Sequence, residues 1–130
     1  MKIAVAGTGY VGLVAGVCFA EMGHKVVCVD IDNEKIKRMK KGISPIYEEG
    51  LEELMQKNYT AGRIDYTTDY RSAYKDADVC FIFTEWEQVK ALLPSDYKKL
   101  MRTSLIFDGR NIYSLKDMIK AEVEYYSIGR

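Results

Sequence analysis

Gly7-Thr8-Gly9-Tyr10-Val11-Gly12 follows the apolar run Ile3-Ala4-Val5-Ala6 and opens the helix-like stretch Leu13 to Met22. A second apolar run, Val26-Val27-Cys28-Val29, ends on an acid, Asp30. Three glycines at this spacing are weak evidence alone. Strand, glycine turn, helix, second strand and terminal acid, in that order within thirty residues, form the fingerprint of a dinucleotide-binding unit. Each glycine has its own task. Gly7 turns the chain sharply out of the first strand. Gly9 carries no Cβ, so a pyrophosphate can approach the backbone. Gly12 lets the helix pack close against the strand. Tyr10 and Val11 start the helix, where unpaired N–H groups and a partial positive charge face the phosphates. Asp30 is placed to accept hydrogen bonds from the adenosine ribose hydroxyls. That carboxylate disfavours a 2′-phosphate, so the expected cofactor is NAD rather than NADP. Lys35 joins the site from the next helix, and with Arg38 it softens the discrimination.

Working outward, 130 residues suggest one domain. Nineteen basic and nineteen acidic side chains balance, which leaves no electrostatic footprint for nucleic acid. Ile3 to Ala20 carries no charge and superficially reads as a membrane span or signal peptide. Its glycines weaken a continuous helix, and they already have an explanation in the turn. A soluble, cytoplasmic chain without membrane partners is expected. Cys18, Cys28 and Cys80 each lie in an apolar run and read as small buried hydrophobes. With no CxxC and a single His24, no metal site is expected.

Apolar runs alternate with helix-like stretches along the whole chain. Strands are predicted near 2–6, 25–30, 63–67, 78–83, 103–107 and 123–128. Helices are predicted near 11–22, 33–41, 48–57, 85–92 and 114–121, with a short helical crossover at 69–74. Asp32 and Ser114 read as N-caps, and Ser44-Pro45 and Pro94-Ser95 as breaks. The order implies an α/β, doubly wound, Rossmann-like domain. Its sheet would be six-stranded, mostly parallel, in the order 3-2-1-4-5-6. A ligand would lie across the carboxyl ends of strands 1 and 4. The last strand would leave an open edge, so a monomer or weak homo-oligomer is expected.

Residues 1–82 resemble the N-terminal NAD-binding domain of the UDP-glucose 6-dehydrogenase (UDP-glucose/GDP-mannose dehydrogenase) family. The resemblance rests on Lys2 to Leu13, on Cys28-Val29-Asp30-Ile31-Asp32, and on Asp76 to Ile82. Ser44-Pro45-Ile46-Tyr47-Glu48-Glu49-Gly50-Leu51 is more specific than the glycine motif. Residues 83–130 resemble the end of the same family's UDP-binding domain. There the matching residues are Phe83-Thr84-Glu85-Trp86, Ile106 to Asn111, and Tyr125 to Arg130. The resemblance implies one hybrid domain joined at equivalent strands. It also implies NAD as cofactor and oxidation of UDP-glucose as the family's reaction. The family's chains are several times longer, and its glycine-rich loop with a nucleophilic cysteine has no counterpart in these residues. No catalytic residue is therefore assigned, and cofactor binding without catalysis is expected of this truncated chain. Arg110 matches an arginine that holds the UDP-sugar in the family, but its partners there are missing, so weak UDP-sugar contact is the most it implies. A second reading is a stand-alone nucleotide-sensing module resembling potassium-transport regulator domains. The segments at 44–51 and 108–111 favour the dehydrogenase ancestry.

Overall fold

A computed structural model describes residues 1–129. The elements alternate along the chain: β1 (Lys2–Ala6), α1 (Tyr10–Glu21), β2 (Lys25–Val29), α2 (Asn33–Lys40), α3 (Leu51–Thr60) and β3 (Ile64–Thr67). There follow α4 (Tyr70–Tyr74), β4 (Val79–Ile82), α5 (Glu87–Lys90), α6 (Pro94–Leu100), β5 (Leu105–Asp108), α7 (Leu115–Lys120) and β6 (Glu124–Ser127). The strands form one sheet, β3-β2-β1-β4-β5-β6, and every neighbouring pair is parallel. This is the doubly wound order read from the sequence.

Strand alternation sends Ile3 and Val5 to one face and Ala4 and Ala6 to the other. On the first face they meet Leu13 and Val17 of α1, Met39 of α2 and Met55 of α3. On the second, the small alanines leave room for Tyr74 of α4, Tyr97 of α6 and Met118 of α7. The Tyr74 and Tyr97 rings stack at 5.4 Å between centroids, and both residues are fully buried. On the first face, β4 to β6 carry a row of aromatics, Phe81, Phe107 and Tyr126, with successive centroids 5.2 Å apart.

The N-caps form as the residue types require. Asp32 accepts from Glu34 N at 3.0 Å and Lys35 N at 3.2 Å, and Ser114 accepts from Asp117 N at 3.3 Å. Asp69 likewise caps the predicted crossover helix by accepting from Arg71 N at 3.0 Å.

Three sequence expectations change. The third helix begins at Leu51 rather than at 48, because Gly50 at φ +81° holds a left-handed conformation that stops a helix running through it. Pro94-Ser95 is a helix start and not only a break. Pro94 sits in the first turn of α6, where its missing N–H costs nothing, and Asp96 accepts from Leu93 N at 2.7 Å. The predicted helix at 85–92 is correspondingly short. Finally, Cys18 is exposed, while Cys28 and Cys80 are buried. Leu13, Gly16, Val17 and Ala20 are buried on the side of α1 that faces the sheet, and Cys18 lies about 100° around the helix from Val17.

The thiols should therefore differ in reactivity. Burial pushes Cys28 and Cys80 up to about 12. Native protein near pH 8 should expose one thiol to a disulfide reagent, and denatured protein three. Rapid modification of more than one native thiol would contradict this core. The same burial has a pH signature. Unfolded thiols ionise before buried ones, so stability is lost as pH rises from the ordinary thiol value towards about 12.

Candidate functional site

The parallel register decides what meets at the carboxyl edge. Ala6 pairs with Ile82, Ile82 with Asp108, and Asp108 with Ser127. The next residues along each strand are Gly7, Phe83, Gly109 and Ile128, so four separate loops begin in one row. The ladder continues one step beyond the strands, with Phe83 N donating to Ala6 O and Gly109 N to Ile82 O, both at 2.8 Å.

Gly7 leaves β1 at φ +105°, where other residues are strained. A Cβ on Gly12 would lie 2.0 Å from Gly7 O, so the helix can start here only with hydrogen at that position. Gly9 differs from both. It is the N-cap of α1, and a Cβ built there meets nothing within 4 Å. The opening above Gly9 is therefore free space at the mouth of a helix whose first turn holds no acidic residue. The first N–H groups of an α-helix have no intrahelical acceptor, and here they sit beside that space. An anion suits it.

Asp30, just past β2, is 1% exposed. Its carboxylate is already engaged. Thr8 Oγ1 donates to Oδ2, Asp32 N donates to Oδ1 at 2.9 Å, and Lys35 Nζ lies 3.0 Å from Oδ2. A carboxylate has about four acceptor positions, so a ribose hydroxyl must share Asp30 with Thr8 and Lys35 or displace one of them. Thr8 was not singled out from the sequence. Its signal was only that it occupies the first variable position of the glycine motif. Lys35 also borders a cavity of about 310 Å³ with Asp32, Glu34, Arg38, Ser44 and Pro45.

On the other side of the glycine turn lies a cleft of about 320 Å³. Gly9 to Gly12 form one wall, and Phe83, Gly109, Arg110 and Ile128 the other. Tyr10 donates its hydroxyl to Glu48 Oε2 at 2.6 Å, which ties the loop before α3 to the start of α1. Asp108 is a second buried acid at this edge, 2% exposed, but its work is structural. It accepts from Arg110 N at 2.9 Å, Ile112 N at 2.8 Å and Tyr125 Oη at 2.6 Å. Arg110 itself pairs with Glu85. The structure thus gathers Gly7, Gly9, Tyr10, Val11, Gly12, Asp30, Lys35 and Arg110 along one edge of the sheet.

Among the described residues, no group of three or more His, Cys, Asp or Glu is arranged to hold a metal, and no helix is long and apolar enough to cross a membrane.

A doubly wound sheet with a glycine turn, an open helix N-terminus and an acid at the end of β2 defines a Rossmann-type dinucleotide-binding domain. Residues 1–88 match the model of the UDP-glucose/GDP-mannose dehydrogenase family, NAD binding domain, and the chain belongs to that family. A UDP-glucose 6-dehydrogenase of Bacillus subtilis is 57% identical over 82 residues, 63% of this chain and 19% of that protein. An uncharacterised protein of Methanocaldococcus jannaschii is 36% identical over 138 residues, 92% of this chain and 15% of that protein. A crystal structure of a ternary complex of GDP-mannose dehydrogenase from Pseudomonas aeruginosa superposes with a TM-score of 0.75 at 27% identity, covering 98% of this chain and 35% of that one. The chain spans about a fifth of the length of the curated relatives it matches.

Proposed function

We propose that the chain binds NAD(H), with the pyrophosphate on the N-terminus of α1 and the adenosine ribose at Asp30. The observation that carries this reading is the free space above Gly9, set between a helix mouth and an anchored carboxylate. Gly7 and Gly12 shape the turn, and the N–H groups of Tyr10 and Val11 face the phosphates. Lys35 holds Asp30 in place and is within reach of the ribose. Bound NAD would supply hydride acceptance at its nicotinamide ring. The residues of this chain bind and orient it.

Cofactor binding, and not sugar oxidation, is the activity assigned to these 130 residues. A thiol nucleophile needs an accessible, activated sulfur. Cys28 and Cys80 are buried and held neutral, and Cys18 lies two turns along α1 from the cleft. Residues 1–130 are taken as one hybrid domain, with UDP-sugar bound weakly if at all. A cytoplasmic location suits three unpaired thiols. β6 is the last strand of the sheet, and the exposure of Tyr126 (51%) on it and of Ile128 (64%) just past it favours a monomer that self-associates weakly.

Titration with NAD+, NADH, NADP+ and UDP-glucose, read by thermal shift, tests the reading. NAD(H) should bind more tightly than NADP(H), because a 2′-phosphate would meet the Asp30 carboxylate in a largely desolvated position. Asp30→Ser should narrow that preference. It should also lower stability by about 1–2 kcal/mol, since Thr8, the Asp32 N–H and Lys35 lose their common acceptor. Equal wild-type affinity for both cofactors would remove Asp30 from the site.

A further inference from the structure

We propose that Arg110, with Glu85 as its resting counter-ion, binds the diphosphate of the cofactor in this cleft. The inference rests on the NAD(H) reading and adds to it a residue that the glycine motif does not contain. By family resemblance the same arginine would hold a UDP-sugar. In this chain it faces the glycine turn instead.

Arg110 and Gly9 to Gly12 wall the same cleft of about 320 Å³, and among the described residues lining it Arg110 is the one charged side chain. The helix mouth and the guanidinium therefore bring positive charge to one space from two sides. An arginine fork matches two phosphate oxygens in a way a point charge does not.

The backbone beneath Arg110 is preset. Asp108 grips the loop through the N–H groups of Arg110 and Ile112. Asn111 takes φ +53° and bridges in both directions to the residue just past β6, donating to Ile128 O at 2.8 Å and accepting from Ile128 N at 3.0 Å. Gly109 sits so close to β4 that a Cβ would lie 3.0 Å from the Phe83 ring. Ligand binding would need only the Arg110 side chain to move.

That movement costs little. The Arg110 and Glu85 side chains are 49% and 52% exposed, and ion pairs so well solvated are weak. A diphosphate next to a helix N-terminus offers more negative charge than one carboxylate, so the guanidinium exchanges partners. Glu85 then opposes the ligand, and its charge sets how tightly the diphosphate is held.

The test is titration of the wild type, Arg110→Gln, Arg110→Lys and Glu85→Gln with NADH, ADP, adenosine and UDP-glucose. Arg110→Gln should weaken NADH and ADP about tenfold and leave adenosine unchanged. Arg110→Lys should recover part of the loss. Glu85→Gln should tighten both diphosphates roughly threefold. The Arg110→Gln deficit should shrink at high salt. Wild-type affinity for NADH and ADP in Arg110→Gln overturns the proposal, and so does a loss confined to UDP-glucose. Failure of Glu85→Gln to tighten the diphosphates removes its role as counter-ion. If the wild type binds neither NADH nor ADP, the NAD(H) reading falls and this proposal with it. If the wild type binds and Arg110→Gln binds equally well, only this proposal falls.

Discussion

Gly9→Val is expected to abolish NAD(H) binding while leaving the fold standing. A Cβ at this position meets nothing within 4 Å, and the backbone, at φ −70° and ψ −169°, is extended and open to any residue. The free protein can therefore hold valine, losing only what a poorer N-cap costs, about 0.5 kcal/mol. The isopropyl group then occupies the space a pyrophosphate needs to reach the first N–H groups of α1. With NADH about 100-fold above its Kd, the wild type should gain about 2.7 kcal/mol. For a chain of this length that is a rise of about 10 °C in Tm. The variant should show no rise, with an unliganded Tm within about 3 °C of wild type. An undiminished ligand shift in Gly9→Val would place the cofactor elsewhere on the protein.

Gly12→Ala, three residues on, should do the reverse and damage the fold first. Its Cβ would lie 2.0 Å from Gly7 O and 3.0 Å from Gly7 C. Those atoms belong to a turn at φ +105° between β1 and α1, so they cannot step aside as a flexible side chain would. The helix must shift outward or the turn must open. A loss of about 3 kcal/mol or more is expected, with Tm about 10 °C lower, and weaker binding follows as a consequence. The urea midpoint measures the loss directly. A midpoint equal to wild type would mean that the turn is not as tight as described. Together the two variants separate a glycine needed by the ligand from a glycine needed by the chain, although both belong to one motif.

Most of the fold was legible because its signals are local. Short apolar runs marked the six strands, and the capping residues Asp32, Asp69 and Ser114 sit where their helices start. The errors also have local causes. Pro94 reads as a stop from the preceding side and as a start from the following one. Only Asp96, accepting from Leu93 N, decides between them. Glu48 and Glu49 look like the acidic first turn of a helix, but the left-handed Gly50 postpones α3 to Leu51. Cys18 lies in an uncharged run that hides which side of α1 faces the sheet.

The glycine turn, the acid ending β2, an NAD-binding domain and the doubly wound strand order all followed from the sequence by itself. Each depends on residue types at short spacings, where the demands of backbone geometry can be read directly. Only the tertiary structure decided that Asp30 is shared with Thr8 and Lys35, and that Arg110 meets Glu85 across from Gly9. The Thr8–Asp30 and Glu85–Arg110 contacts join residues 22 and 25 positions apart, and positions 9 and 110 share a cleft only because β1, β4 and β5 run parallel in register. Parallel pairing carries every strand's carboxyl end to one edge. The side chains that meet there are set by the register between strands, which no local period in the sequence records.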